Sequence, residues 1–330
     1  MNSAATPLSR RRLLKQSFAF SAATLLGGRG VRFVNAAEAP ADDHHLMMIG
    51  DWGWTDSKAQ SAVAAGMQRY VSDLKLKPDA MLLLGDNFYG EFKGGTNCPR
   101  WKTQFEDMYP ASVFPGPCYA LLGNHDYDDE PKTKLAAQLG YAKARPGTRW
   151  TMPAKWYAFD FPNVNPLVKF IVLDSNYKNR LEQLTAAEKA EQNAWFATEI
   201  AKPRTAPYLV VMAHHPLYTN GVHHDNQALI TDWEPLLRKH KAHFYFAGHD
   251  HDMQHMEFDA HPTSFVVSGG GGARVRNIDS INHGPFAQGI YGFSHVQINK
   301  ERIIVRHLDA NRKQLHAMNK TPEGKVSLIA

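Results

Sequence analysis

Asp51, Asp86, Tyr89, Asn124, His214, His249 and His251 each stand at or just after the end of a short apolar run. Taken singly, each has an ordinary explanation: an aspartate after a strand is often a helix N-cap, and Gly123-Asn124 has the composition of a turn. Taken together they supply three hard oxygen donors, one amide and three imidazoles. That donor set suits two adjacent cations. Carboxylate and phenolate oxygens favour a hard, highly charged ion such as ferric iron; imidazole suits zinc or divalent iron, and amide or carboxylate oxygen suits manganese as well. With one carboxylate bridging, seven side chains serve two ions.

The elements that must bring these residues together follow from the hydrophobic pattern. Leu46 to Ile49, Ala80 to Leu84, Cys118 to Leu122, Phe170 to Leu173, Tyr208 to Ala213 and His243 to Ala247 are short apolar runs, and each ends in a polar cluster. Helix-like stretches lie between them, over Ser57 to Lys75, Trp101 to Tyr109, Ala186 to Lys202 and Asn226 to Lys239. Such alternation predicts buried strands joined by helical crossovers. In sheets of this kind the loops leaving the strand C-termini converge on one edge, where ligands bind. From Ser264 onward the pattern predicts antiparallel strands without helices between them, over Phe265 to Val267, Phe293 to Ile298 and Ile303 to Leu308. The fold class expected is α/β, one domain over residues 37–330, with two sheets packed together and flanked by helices.

The first 36 residues stand outside this domain. Ser9, three arginines at 10–12, Leu13, Leu14 and Lys15 precede a small, apolar run from Ser17 to Gly28. That run is shorter than the roughly 18 to 20 apolar residues of a membrane span, so a cleaved signal is expected rather than a stable anchor. Arg10-Arg11 with Leu13-Leu14-Lys15 resembles the twin-arginine export consensus, which makes the export machinery an expected partner and the periplasm or the exterior the expected location. Cleavage is expected near residues 36–39.

The segment holds six of the 37 basic residues and no acidic one, so the remainder carries 31 basic against 32 acidic residues, a formal net of −1. The basic character of the whole chain is therefore largely the signal's. No nucleic-acid footprint remains. Cys98 and Cys118 are the two cysteines. In an exported chain they can pair or stay free, and two cysteines alone do not make a disulfide framework.

Five ordered motifs carry a family resemblance: Gly50-Asp51-Trp52-Gly53, Gly85-Asp86-Asn87-Phe88-Tyr89, Gly123-Asn124-His125-Asp126, Val211-Met212-Ala213-His214 and Gly248-His249-Asp250-His251. In order and spacing they resemble the purple acid phosphatases of the small, tartrate-resistant type, within the calcineurin-like metallophosphoesterases. Phe105-Glu106-Asp107, Arg149-Trp150 and Ser268-Gly269-Gly270 extend the similarity over nearly the whole mature chain. The wider superfamily opens with Asp-x-His, but Gly53 stands at that histidine's position and cannot ligate. The resemblance implies that Tyr89, three residues after Asp86, is the donor that replaces it.

The resemblance implies a four-layer α/β/β/α sandwich of two mixed sheets. It assigns Asp51, Tyr89 and His251 to a ferric site and Asn124, His214 and His249 to a divalent site holding iron, zinc or manganese, with Asp86 bridging. It also places His125 and His223 at the substrate, to bind it or to protonate the leaving group, for which imidazole's reference pKa of about 6.5 is suited. The activity implied is hydrolysis of phosphomonoesters, on small molecules or phosphoproteins, by in-line attack of a metal-bound hydroxide. A calcineurin-like phosphodiesterase and an exported iron-binding protein without turnover are the competing readings. Gly53 and Tyr89 oppose the first, and the two non-ligand histidines oppose the second. For the run Gly269 to Gly272 a plain turn is expected. Arg274 and Arg276, beyond it, have two readings open, contact with substrate or simple solvation.

Overall fold

The computed structural model describes residues 43–128, 133–177, 183–279 and 283–329. The expected signal segment, residues 1–36, lies outside them.

Strand β1 (His44–Ile49) shows how the sequence pattern makes the layers. Successive side chains leave a strand on opposite faces, so Leu46 and Met48 enter one core while Met47 and Ile49 enter another. Helix α1 (Lys58–Asp73) covers the second of these with Val63, Met67 and Val71, spaced by four so that they share one face. Strands β2 (Ala80–Leu83) and β3 (Cys118–Ala120) repeat the division, with Leu82 and Tyr119 on the inner side and Met81, Leu83 and Cys118 on the helix side. Helix α2 (Thr133–Ala144) adds Ala137 and Tyr141 to that outer core before β4 (Trp150–Thr151).

A second sheet is built from β5 (Tyr157–Phe161), β6 (Val168–Val172), β7 (Tyr208–Met212), β8 (Phe244–Ala247), β9 (Met253–Met256), β10 (Ser264–Ser268) and β11 (Pro285–Gln288). Phe170, Val210, Met212, Phe244 and Phe246 meet Leu46, Met48 and Leu82 across the inter-sheet core. Ile171, Leu209, Val211 and Tyr245 face the opposite way, onto α3 (Ala186–Ala201) and α4 (Gln227–Lys239), whose Phe196, Ile200, Leu229 and Trp233 complete a third core. At about 1.5–3 kcal/mol for each large side chain withdrawn from water, these three cores dominate the folding free energy. The chain then returns to the first sheet as β12 (Gly292–Ile298), β13 (Ile303–Asp309), β14 (Gln314–Lys320) and β15 (Val326–Leu328).

The strand order is β15-β14-β13-β12-β1-β2-β3-β4 in one sheet and β11-β9-β10-β8-β7-β6-β5 in the other. Both sheets are mixed: β1 to β4 run parallel and β12 to β15 antiparallel, while β6, β7, β8 and β10 are parallel with antiparallel β5, β9 and β11 at the flanks. The four-layer sandwich is therefore the observed fold. Helix ends follow their caps, since Thr185 and Glu188 bond each other's backbone N–H (2.9 and 3.1 Å) and Asn226 accepts from Leu229 N (3.2 Å).

The structure differs from the pattern in two places and settles one choice that it left open. The stretch expected as a helix from Trp101 is a π-helical turn over Trp101–Glu106, in which Asp107 N reaches back to Lys102 O (2.9 Å). Phe265 to Val267, expected in an antiparallel set, lies in β10, which runs parallel to β8 because the hairpin strand β9 reverses the chain between them. Cys98 and Cys118 are both buried and unpaired, so the choice left open by the sequence resolves to free thiols.

Candidate metal centre

Six polar clusters follow the strand ends, and five of them meet. β1, β2 and β3 deliver Asp51, Asp86 and Asn124 from one sheet, and β7 and β8 deliver His214 and His249 from the other. Bonds from backbone N–H groups tie these loops together: His249 N donates to Asp51 Oδ2 (2.8 Å) across the two sheets, Gly248 N to His214 O (2.9 Å) within one, and His125 N to Asp86 Oδ1 (2.8 Å) within the other. The sixth cluster, after β6, supports rather than lines the centre. Ser175 Oγ contacts His215 Nδ1 (2.8 Å), and Asp174 accepts from the Tyr127 hydroxyl.

Three non-glycine residues at this edge hold left-handed backbone: Asp51 (φ 57°), Asp86 (φ 51°) and His249 (φ 69°). That conformation costs roughly 1–3 kcal/mol each and persists only where surrounding structure over-determines it. Here it bends each chain so that the side chain re-enters the gap between the sheets.

Two groups of donor atoms result. In the first, Tyr89 Oη lies 3.2 Å from Asp51 Oδ1 and 3.1 Å from His251 Nε2, and His251 Nε2 lies 3.5 Å from Asp51 Oδ1. Ligands bound at about 2.1 Å and at right angles stand about 3.0 Å apart, so these separations suit one ion. In the second, His249 Nδ1 is 2.9 Å from Asn124 Oδ1, and the His214 and His249 rings are 5.1 Å apart. Asp86 lies between the groups, with Oδ2 3.4 Å from His214 Nε2. Asp51, Asp86 and His214 present ligand atoms within 4.8 Å of one another, all buried.

His214 gives the clearest test of whether a cation fits. Its Nδ1 faces Leu84 O at 2.8 Å, which leaves Nε2 turned toward Asp86 and, at 3.9 Å, Asp51 Oδ1. That nitrogen is buried and makes no well-directed hydrogen bond. Burial alone disfavours its charge, yet Asp86 and Asp51 outweigh burial and raise its pKa to about 10. Burial likewise lifts Asp51 to about 8, while His214 overcomes burial and holds Asp86 below the usual carboxylate range. Two buried carboxylates here demand positive charge, and a cation would take the place of the proton.

The other donors agree. Burial, then Asp86 and Asp51, push the Tyr89 phenol well above its ordinary value, a bias that only a cation reverses. Burial and Arg276 lower His251 to about 4, and burial and His215 lower His249 well below its ordinary value, which favours the neutral, ligating form of both rings. His251 Nδ1 is oriented by Arg274 O (2.8 Å). The donor set fits two cations.

Gly53 explains why tyrosine is needed. A Cβ at this position would stand 1.8 Å from Asn87 O, so with this backbone no side chain fits there. The same approach of chains lets Tyr89 N bond Gly53 O (3.0 Å), which brings the phenol over the centre. The run Gly269 to Gly272 is likewise not a plain turn. Gly271 N bonds Gly50 O (3.1 Å), and a Cβ at Gly271 would stand 2.3 Å from that oxygen, so the glycines allow the backbone to lie against the Asp51 loop.

His125 and His223 stand at the rim, outside both donor groups. His125 packs on Tyr89 (ring centroids 4.4 Å apart), and its Nδ1 contacts Asp128 Oδ2 at 2.7 Å. Burial works against its charge, but the Asp128 hydrogen bond and Asp86 raise its pKa above the ordinary value. His223 lies 4.2 Å from the His249 ring and is bonded through Nδ1 to Asp250. His224 faces a separate cleft with Asp225 and His283. His215 is half-buried and packs on His249 (ring centroids 4.2 Å apart).

Several supporting residues were not singled out by the sequence. Arg100 donates to Tyr89 O (2.6 Å), Glu91 O (2.8 Å) and Gly53 O (2.8 Å), clamping the segment that carries the phenol. Asp126 accepts from Gly123 N (2.8 Å), Asn87 N (3.2 Å) and Phe88 N (3.1 Å), tying the Asp86 and Asn124 loops together. Buried Lys134 binds Asp128 and the His125 carbonyl. Asp126 and Asp250 lay inside recognised motifs, whereas Arg100 and Lys134 gave no signal, because their partners are carbonyls or come together only in the fold.

Comparison with known proteins agrees with this geometry. The calcineurin-like phosphoesterase family matches residues 44–253. Tartrate-resistant acid phosphatase type 5 of Sus scrofa is 28% identical over 318 residues, 88% of this chain and 90% of that protein. Purple acid phosphatase 7 of Arabidopsis thaliana is 31% identical over 235 residues, 68% of this chain and 69% of that one. Among solved structures, the purple acid phosphatase PPD1 from yellow lupin (Lupinus luteus) seeds superposes with a TM-score of 0.66 at 16% identity, covering 84% of this chain and 54% of the lupin chain, which bears on the fold. The chain belongs to the calcineurin-like phosphoesterases and, within them, to the purple acid phosphatases.

Proposed function

We propose that this chain hydrolyses phosphomonoesters in mildly acidic solution at a dinuclear centre of one ferric and one divalent ion, the latter iron, zinc or manganese. The buried His214 Nε2, turned toward two carboxylates without a well-directed hydrogen bond, is the observation that carries the reading. Asp51, Tyr89 and His251 would hold the ferric ion, Asn124, His214 and His249 the divalent one, and Asp86 both. When bound, such ions supply Lewis acidity toward phosphoryl oxygens and an acidified water.

The chain's own part is to place the substrate and its leaving group. His125 has Nδ1 occupied by Asp128, so Nε2 is the nitrogen left to meet the ester; His223 is bonded through Nδ1 to Asp250, with Arg276 Nη1 3.0 Å from its Nε2. From there His125 donates a proton to the departing alkoxide, and His223 holds a phosphoryl oxygen. No side chain is required as a nucleophile. Configuration at phosphorus therefore inverts.

The test compares p-nitrophenyl phosphate with bis-p-nitrophenyl phosphate on metal-loaded protein, with chelated protein as the control. The expected result is a preference for the monoester, loss of rate on chelation, and a drop of about 10²- to 10⁴-fold in kcat for His125→Ala. Faster diester cleavage would favour a phosphodiesterase. Negligible, equal rates in native protein and variant would favour a non-catalytic iron-binding protein.

We also propose that residues 1–36 direct export through the twin-arginine machinery, leaving 37–330 as the mature domain in the periplasm or outside the cell. Among the described residues no helix is long and apolar enough to cross a membrane. N-terminal sequencing of the exported protein should begin near residues 37–40; an intact Met1 terminus in the exported fraction would contradict this.

A further inference from the structure

Above the centre lies a cleft of about 520 Å³, lined by Trp54, His125, Val222, His251, Arg274, Val275, Arg276 and Asn277. Among the described residues no carboxylate lines it. A single phosphate ester brings charge that two cations and two histidines already answer, so two further guanidinium groups at the same mouth call for another partner.

The backbone holding those arginines is strapped to the centre. Ala273 N bonds Asp51 O (2.8 Å), Arg274 O faces His251 Nδ1 (2.8 Å), and Arg276 N bonds His251 O (3.1 Å). The segment therefore cannot drift from the donor atoms. The two side chains differ in their freedom. Arg276 is half-buried, donates from Nη1 to His249 O (3.2 Å), and lies 3.0 Å from His223 Nε2. Arg274 is exposed, and its guanidinium makes no hydrogen bond or ion pair with the described residues. Five donors on a fixed backbone, at the rim of a cationic cleft and unclaimed by the protein, match the planar oxygens of a phosphate or carboxylate.

We propose that Arg274, backed by Arg276, forms a second anion subsite that selects phosphomonoesters carrying another phosphoryl group near the scissile one. This rests on the monoesterase reading above and specifies its substrate class. The chemistry is unchanged: water oxygen bonds to phosphorus, the ester P–O bond breaks, and the proton released by water ends on the leaving alkoxide. The second phosphoryl group is not cut in that turnover but held by the guanidinium.

The experiment measures phosphate release by metal-loaded protein from fructose 1,6-bisphosphate and from fructose 6-phosphate, and reads the ratio of the two kcat/KM values. The native ratio should exceed about tenfold, the contribution of one charge-assisted contact at a partly solvated rim. It should fall with added salt, since the contact is exposed. Arg274→Gln, which keeps the bulk and loses the charge, should bring the ratio to near unity, and Arg274→Lys should retain part of it. A native ratio near unity, or one unmoved in Arg274→Gln, overturns the subsite while leaving monoester hydrolysis intact. Release of phosphate from neither sugar overturns the monoesterase reading and the subsite with it.

Discussion

Asp86→Asn is expected to lower kcat/KM for a phosphomonoester by about 10³-fold or more, a larger loss than the roughly 10- to 100-fold typical of groups that only orient ligands. Asparagine keeps the shape and retains an oxygen to accept from His125 N, now 2.8 Å from Oδ1. What it lacks is the negative charge and a second donor oxygen. Asp86 is buried between the two donor groups, with Oδ2 3.4 Å from His214 Nε2, so the change would touch both of the proposed ion sites at once. Metal analysis of the variant should find one tightly held ion per chain where the native protein holds two. Because the substitution removes one partner of the buried Asp86–His214 pair, metal-stripped variant should unfold earlier than metal-stripped native protein. Full activity with two retained ions would show that Asp86 does not bridge.

How much of this was legible beforehand depends on where the signal resides. A strand buried on both faces is written as an apolar run, and a ligand after it as a polar residue at a fixed point, so Asp51, Asp86, Asn124, His214 and His249 could be read one by one. Helices α1, α3 and α4 were legible through amphipathic spacing. Helix α2 was not singled out: among Lys134, Ala137, Gln138 and Tyr141, the side chains it buries, two are polar, which blurs the stripe. Lys134 is buried because it neutralises Asp128 and caps the His125 carbonyl, partners that only the fold brings near.

The same limit applies to Arg100 and to the glycine run. Arg100 acts on three carbonyls, which every residue possesses, so composition carries no trace of it. Gly269 to Gly272 read as a turn because glycine commonly marks one. Its use here is closeness of backbone to the Asp51 loop, and that depends on a strand from a different part of the chain.

The second large effect concerns Tyr89. Its phenol is buried, sits 3.2 Å from Asp51 Oδ1 and 3.1 Å from His251 Nε2, and is held there by Arg100 through its own carbonyl. Two carboxylates and burial oppose its ionisation, so it becomes phenolate only against a strongly charged cation. Phenylalanine keeps the ring contacts with Trp54 (4.8 Å) and His125 (4.4 Å) and deletes the donor oxygen alone. With Gly53 unable to supply a substitute, the first ion would be left short of a ligand.

The visible absorption spectrum of iron-loaded protein, taken on native chain and Tyr89→Phe with iron content measured on the same samples, tests the account most directly. A ferric phenolate absorbs visible light. The account predicts a band in the native protein that is lost in the variant. A native protein that binds two ions and is colourless, or a band unchanged by Tyr89→Phe, would contradict it.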